Sequence, residues 1–415
     1  MTERKPLLRV AAGDARAMLG QLREAVLFDE AALAVLPVPG DSEPAADDLV
    51  AALVPRDVAL VVETSGSTDA PKRVMLSGHA LRASAYSTER FFGGQTGQWL
   101  LALPATYIAG VQVLVRSILA GTTPVVLPQG GFTPAAFVEA ARTLDPDHPW
   151  FTSLVPVQLA RLVAAAEHDR SVRTALGSFD RILLGGQAAP AALVERAHEF
   201  GAHVHRTYGS SETAGGCVYD GQPLPGVTVR VVDGEVQLSG PVLASGYLDD
   251  PERTAGAFTT DADGTRWYRT GDLGALVADP NPGHHPVERL RITGRADDVI
   301  ISGGVKVALG EVERAVRSVA GFGNAVVLPV ADAEWGERPA VVVERADAAA
   351  SVALGPLAEA TDAAGLPPAG RPVRVLAVER MPHLASGKPD RRALAALLAH
   401  HEGSEVRSGV IGTAN

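Results

Sequence analysis

The chain has 415 residues, enough for two or three domains, and with 46% hydrophobic and 20% charged residues it can bury a large core. Lys and Arg number 37 against 48 Asp and Glu, a net charge of −11, which argues against nucleic acid and anionic membrane as partners because both attract a basic surface. A single cysteine, Cys217, excludes an intramolecular disulfide and a cysteine-based zinc cluster.

Met1 to Val10 is polar and has no apolar h-region, so no signal peptide is expected and the cytoplasm is the expected location. From Val58 to Tyr208 short apolar runs alternate with longer amphipathic stretches. Strands are predicted at Val58–Val62, Leu100–Leu103, Val125–Leu127, Trp150–Leu154, Arg181–Leu184 and His203–Thr207. Helices are predicted at Gly78–Arg90, Ile108–Leu119, Pro134–Arg142, Pro156–Glu167 and Pro190–Phe200, several opening on a proline whose missing N–H costs nothing in the first turn. This alternation indicates a parallel, doubly wound sheet with ligands at the carboxyl ends of its strands. Phe91 to Val138 carries one charge, Arg116, yet is broken repeatedly by Gly and Pro, so it reads as a buried strand–helix–strand unit and not as a membrane span.

After Gly221 the pattern turns β-rich, with short strands at Val227–Val232, Glu235–Ser239, Trp267–Tyr268 and Leu290–Ile292. Beyond Arg295 a compact α+β pattern follows. Its strands are Val299–Ser302, Ala325–Val330, Ala340–Val343 and Val373–Val378, and its helices Gly310–Val319, Pro356–Ala364 and Arg391–Ala399. Residues 402–415, small and polar, are expected to be a disordered tail.

Five motifs carry the chemistry. Glu63-Thr64-Ser65-Gly66-Ser67-Thr68-Asp69-Ala70-Pro71-Lys72 follows an apolar strand, and its hydroxyls, glycine and terminal lysine suit phosphate oxygens although the Walker spacing is absent. In order come Thr207-Tyr208-Gly209-Ser210-Ser211-Glu212-Thr213, Tyr268-Arg269-Thr270-Gly271-Asp272-Leu273-Gly274, Ile292-Thr293-Gly294-Arg295-Ala296-Asp297-Asp298 with Ser302-Gly303-Gly304-Val305-Lys306, and Ser386-Gly387-Lys388-Pro389-Asp390. Each alone is an ordinary turn. The ordered series resembles the adenylate-forming superfamily of acyl-CoA synthetases, carrier-loading adenylation domains and luciferases, from about Val58 to Leu394.

That resemblance implies an α/β enzyme with a large N-terminal domain, residues 1–296, of doubly wound mixed sheets plus a β-rich subdomain at about 221–294. A small mobile α+β domain, residues 297–401, would carry the catalytic lysine. It implies that Thr64, Ser65, Gly66, Ser67, Thr68 and Lys72 wrap the ATP phosphates, and that Glu212 holds Mg²⁺, a hard cation suited to carboxylate and phosphate oxygens. Gly186, Gln187, Tyr208 and Gly209 would surround the adenine, with Asp272 and Arg295 on the ribose. Lys388 would be the catalytic cation, stabilising charge that builds as a carboxylate attacks the α-phosphate. Asp297 would be the hinge about which the small domain rotates between two half-reactions, and Gly303 and Gly304 would line the tunnel for coenzyme A.

Three further stretches resemble the o-succinylbenzoate–CoA ligases of menaquinone biosynthesis: Leu103 to Gly110 with Arg116-Ser117, Ser153 to Leu162, and Ser211 to Gly221. The implied substrate is an aromatic dicarboxylate, activated at one carboxylate and recognised at the other. Arg161 is assigned to the recognised carboxylate, with Arg116 as second candidate, and Tyr107, Ser211 and Gly215 complete the acyl site. Asp69 and Arg73 stand where the family commonly has glycine, and Arg73 could offset the Asp69 charge. ATP, Mg²⁺ and coenzyme A are the implied cofactor and co-substrates, and homo-oligomerisation stays open. Alternatives are another small aryl- or acyl-CoA ligase, a carrier-loading adenylation domain, or a non-catalytic nucleotide-binding relative.

Overall fold

A computed structural model of the protein describes residues 3–28, 31–40, 49–64, 71–128, 131–279, 288–345, 353–384 and 387–408. The chain divides into two units, one of Met1–Val232, Val236–Thr270 and Leu276–Leu290, the other of Asp233–Glu235, Gly271–Ala275 and Arg291–Asn415. Among the described residues, no helix is long and apolar enough to cross a membrane.

The first unit holds two large sheets. One runs Gly246–Tyr247, Lys72–Ser77, Val58–Thr64, Ala34–Val38, Arg4–Ala11, Val50–Pro55. The other runs Gln222–Pro223, Gly215–Tyr219, Val204–Ser210, Arg181–Leu184, Trp150–Leu154, Gln98–Leu101, Val125–Val126. From Val204–Ser210 to Val125–Val126 every neighbour is parallel. Trp99–Leu101 and Ile182–Leu184, buried throughout, are the short apolar runs expected of parallel strands covered on both faces. Beneath them Leu100, Phe137, Leu154, Leu159, Leu162, Phe179, Ile182 and Leu184 form a buried core. Each such side chain contributes about 1.5–3 kcal/mol on burial.

The alternating runs pointed to one parallel sheet, but they divide between two sheets, in keeping with the mixed sheets that the resemblance implied. Val58–Thr64 does not join Gln98–Leu101. It pairs antiparallel with Lys72–Ser77 and parallel with Ala34–Val38. The short gap between residues 64 and 72 makes a hairpin, and Lys72–Ser77 alternates buried with half-buried positions as a strand lining one face must. The Phe91–Val138 stretch does form the strand–helix–strand unit, with Leu100 opposite Val125 and helix Ile108–Ala120 between. Its helix ends at Gly121, in the left-handed region that a Cβ disfavours. Helix Gly78–Phe91 starts at Ser77, whose Oγ accepts the Ala80 N–H at 3.1 Å. Helix Arg170–Gly177, capped by Asp169, is separate from Pro156–Ala166.

A third sheet has the order Thr228–Val232, Glu235–Ser239, Arg266–Ala278, Phe258–Thr260. The second unit has an antiparallel array of Val305–Ala308, Val299–Ser302, Gly336–Glu344 and Val326–Asp332, with Arg374–Val378 parallel to Gly336–Glu344. Alternation decides its two faces: Val327, Val341 and Val343 pack with Val312, Val316 and Leu357, whereas Val326, Leu328, Ala340 and Val342 pack with Leu394 and Leu398. The last helix runs Arg391–Ser408, so the chain stays helical seven residues beyond the point, 401, at which a tail was expected.

Candidate active site

Thr64 and Lys72 face each other in register at the mouth of the hairpin, with Thr64 Oγ1 3.5 Å from the Lys72 carbonyl it donates to. Ser65, Gly66, Ser67, Thr68 and Asp69 lie outside the described residues. Arg73 pairs with Asp249 at 3.2 Å, so its charge is engaged there.

At the carboxyl edge of the seven-stranded sheet, Arg181–Leu184 leads into Gly185, Gly186 and Gln187, and the adjacent Val204–Ser210 carries Tyr208 and Gly209. Two glycines there are steric requirements. A Cβ on Gly185 would lie 2.4 Å from Thr207 Oγ1, and one on Gly209 2.2 Å from the Gly215 carbonyl oxygen. A bulge between Tyr208 and Gly209 breaks the register with Gly215–Tyr219, and the chain then turns through the 3₁₀ segment Ser211–Thr213.

Glu212 sits in that turn, 6% exposed. Its Oε1 accepts a 2.8 Å hydrogen bond from the Tyr247 hydroxyl, and its carbonyl accepts the Ala244 N–H at 2.8 Å. Tyr247 in turn pairs opposite Val74 in strand Lys72–Ser77. The structure thus brings the Glu212 carboxylate to the strand that begins at Lys72. Burial first, and then the Glu212 charge, hold the Tyr247 phenol well above its ordinary value, so it stays a donor.

Tyr107, expected at the acyl site, is the N-cap of helix Ile108–Ala120, and burial raises its phenol. Gly215, at φ 103°, presents its Cα to that helix: an added Cβ would be 3.3 Å from Gln112 Cγ and 3.8 Å from Ile108 Cγ1. Ser211 is buried in the same turn. Tyr107 and Gly215 therefore meet at the start of one helix. Arg161, on helix Pro156–Ala166, is exposed, and its Nη1 donates to the Phe132 carbonyl at 3.4 Å.

Arg116, the second candidate for the recognised carboxylate, lies on helix Ile108–Ala120. It is 7% exposed and stacks 4.9 Å from the Trp99 ring centroid, with Nη2 3.2 Å from Thr88 Oγ1 and 3.4 Å from the Tyr219 hydroxyl. Burial lowers its pKa and the nearby Tyr219 partly restores it. A guanidinium held among these groups joins helices Gly78–Phe91 and Ile108–Ala120 to strand Gly215–Tyr219.

In the second unit Arg295 joins the motif acids. Its Nη1 lies 3.0 Å from Asp272 Oδ1, and its Nε 2.9 Å from Asp297 Oδ1. Gly271, at φ 69°, leaves room: a Cβ there would stand 3.3 Å from Arg295 Nη2. Asp297 lies in the 3₁₀ turn Ala296–Asp298. Gly303 and Gly304, at φ 56° and 80°, make the tight turn between Val299–Ser302 and Val305–Ala308, and a Cβ on Gly303 would strike the Trp335 ring at 2.6 Å. Lys388 is exposed on a turn closed by its own carbonyl, which accepts the Leu384 N–H at 2.8 Å, and by the Gly387 N–H to Leu384.

Sequence reasoning passed over Tyr247, Gln112 and Ser84. Gln112 had a signal, being polar inside the apolar run Val111–Val115. Tyr247 had none, since its partner lies 35 residues away.

No group of three or more His, Cys, Asp or Glu that could hold a metal occurs among the described residues. One buried carboxylate does fit Mg²⁺, which keeps waters and takes most of its ligands from phosphates.

Residues 9–248 match the family model of the AMP-binding enzymes. A probable 2-succinylbenzoate–CoA ligase of Mycobacterium tuberculosis is 37% identical over 399 residues, covering 93% of this chain and 97% of that protein. The 2-succinylbenzoate–CoA ligase of Salmonella typhimurium is 33% identical over 310 residues, 72% of this chain and 61% of that protein. Wild-type E. coli MenE, solved with an m-phenylether-linked analogue of OSB-AMS, superposes with a TM-score of 0.68 at 26% identity, covering 95% and 88% of the two chains. The Bacillus subtilis o-succinylbenzoate CoA synthetase, in complex with the acyl-adenylate OSB-AMP, shares the fold at a TM-score of 0.69 and 24% identity over 94% and 88%.

Proposed function

The chain belongs to the AMP-binding enzyme family, and we propose that it is the AMP-forming 2-succinylbenzoate–CoA ligase of menaquinone biosynthesis. In the first half-reaction a carboxylate oxygen of the acid attacks the α-phosphorus of ATP and pyrophosphate leaves, giving the acyl-adenylate. In the second the thiol of coenzyme A attacks the acyl carbon, AMP leaves, and the thiol proton is released. The observation that carries this reading is the end-to-end match with a relative of that name, 93% of this chain against 97% of the relative.

The residues fit their roles chemically. Thr64 and Lys72 frame the phosphate loop, and Tyr208 and Gly209 stand at the carboxyl edge where parallel sheets bind nucleotides. Gly209, lacking a side chain, admits close backbone approach. Glu212 would hold Mg²⁺, which offsets charge on the triphosphate when bound. Asp272 accepts from the ribose hydroxyls, oriented by Arg295. Lys388 supplies the cation for adenylation, where negative charge grows in the transition state. Tyr107, Ser211 and Gly215 shape the acyl pocket, Arg161 recognises the carboxylate that is not activated, and Gly303 and Gly304 admit pantetheine. Asp297 is proposed as the hinge. A reaction drawing on ATP and coenzyme A places the enzyme in the cytoplasm.

ATP–pyrophosphate exchange across a panel of aryl and alkyl acids tests the reading. The dicarboxylate o-succinylbenzoate should support the fastest exchange, and Arg161→Ala should lose most of it while the ATP KM holds. Faster exchange with a monocarboxylate analogue would reject this substrate and leave adenylation standing.

A further inference from the structure

We propose that Ser84 and Gln112 are positioning residues for adenylate formation: together they clamp the Ala214 carbonyl and hold the left-handed turn that sets Ser211, Glu212 and Gly215. The proposal rests on the ligase reading above.

Ala214 is fully buried and adopts φ 50°. The other non-glycine residues with positive φ among those described are Asp220, Asp233 and Asp249, whose short polar side chains suit that region. Alanine has no such compensation, so its surroundings must impose the conformation. The imposition is visible. The Ala214 carbonyl accepts two side-chain hydrogen bonds, from Ser84 Oγ at 3.0 Å and from Gln112 Nε2 at 2.9 Å. Both donors are 1% exposed.

The donors come from different directions. Ser84 is on helix Gly78–Phe91, which follows the strand leaving the phosphate loop, and Gln112 is on helix Ile108–Ala120, which starts at Tyr107. Gln112 Nε2 also reaches the Leu81 carbonyl at 3.4 Å. Two carbonyls facing one amide end identify it as the NH₂, because the flipped amide would set oxygen against oxygen. Gln112 Oε1, by contrast, is buried with no hydrogen-bond partner among the described residues. A leucine would avoid that cost, so the glutamine is accounted for by what its NH₂ does. Serine in a helix commonly bonds back to its own carbonyls, whereas Ser84 reaches across to Ala214.

Inside the turn, the Thr213 hydroxyl accepts the Ser210 N–H at 2.9 Å and contacts the Gly215 carbonyl at 2.8 Å. Freed of its clamp, Ala214 would relax towards negative φ, rotate the peptide joining it to Gly215, and move the acyl-side Gly215 and the Glu212 carboxylate together. The clamp therefore ties the nucleotide side of the site to the acyl side.

The test compares wild type, Ser84→Ala, Gln112→Leu and the double variant in ATP–pyrophosphate exchange, with kcat and KM for both substrates and Tm for each. Each single change should lower kcat/KM roughly three- to tenfold, with the KM for the acid rising. Ala214→Gly, to which positive φ is open, should bring Ser84→Ala back to within about twofold of the Ala214→Gly single variant. Wild-type kinetics in Ser84→Ala and Gln112→Leu would overturn the proposal, as would a lowered Tm with no kinetic change or no rescue by glycine. If the double variant does not fold, the Ser84→Ala and Ala214→Gly pair still decides. Absence of exchange in wild type with every acid is a different result: it overturns the ligase reading, and the clamp falls with it.

Discussion

Tyr247→Phe removes one oxygen from the site and leaves the ring in place. The lost contact is the 2.8 Å hydrogen bond to Glu212 Oε1, between side chains of residues that are 5% and 6% exposed. A hydrogen bond to a charged group contributes about 1.5–3 kcal/mol, and a carboxylate left short of a donor while buried falls at the upper end. At about 2 °C per kcal/mol for a domain of this size, Tm should fall by roughly 3–6 °C. The functional effect should concentrate on the metal. A Glu212 carboxylate no longer held would bind Mg²⁺·ATP about tenfold less well, which is roughly half of that energy at 1.36 kcal/mol per decade. Pyrophosphate exchange titrated with Mg²⁺ should show a raised half-saturation and converge on wild type at excess Mg²⁺, with the KM for the acid unchanged. The folded-state pKa of Tyr247 lies above its unfolded value, so the contribution is fully present below about pH 10 and is lost only as pH rises through the folded value. The difference between variant and wild type should thus be flat across the neutral range. An unchanged Mg²⁺ titration would refute the assignment of Glu212 to the metal, and an unchanged Tm would refute the energetic value given to the bond.

Lys388→Ala should slow adenylation by about two orders of magnitude or more, yet convert preformed acyl-adenylate and coenzyme A to thioester at close to the wild-type rate. Equal damage to both steps would contradict its role. Gly209→Ala should destabilise the protein by roughly 3 kcal/mol or more in denaturant titration, because the new Cβ would sit 2.2 Å from the Gly215 carbonyl oxygen and 2.8 Å from Gly216 Cα. Burial pushes the Asp220 carboxyl up, but hydrogen bonds from His205 and the Arg206 N–H, with the charges of both residues, outweigh it and hold the group below its ordinary value. Its stabilisation is therefore present above about pH 4 and lost as pH falls through the folded value, a loss that Asp220→Asn should not show in acid unfolding.

Legibility in the sequence followed how local the determining physics is. Trp150–Leu154 and Arg181–Leu184 were placed to the residue, since each is a short, mainly apolar run followed by a proline or glycine break. Arg4–Ala11 and Ala34–Val38 were passed over: the first mixes charge into its pattern and the second is proline-interrupted, and it is pairing with each other, with Val50–Pro55 and with Val58–Thr64 that makes them strands. The two-sheet division had the same cause, because which strand a run pairs with is not written in the run itself. The family was legible through the order of its motifs along the chain. Their supports were not: Ser84 meets Ala214 across 130 positions, and Tyr247 meets Glu212 across 35. Arg116 shows the same limit. It was named through the resemblance alone, and its buried surroundings of Trp99, Thr88 and Tyr219 come from segments distant in the chain.

The central claim is the reaction itself, and one measurement addresses it most directly: mass-spectrometric detection of the thioester formed from o-succinylbenzoate, ATP, Mg²⁺ and coenzyme A by the full chain. The account predicts o-succinylbenzoyl-CoA with one AMP and one pyrophosphate released per thioester, and no thioester when ATP is withheld. Thioester from other acids with none from o-succinylbenzoate would contradict the substrate assignment, and AMP release without any thioester would contradict the ligase.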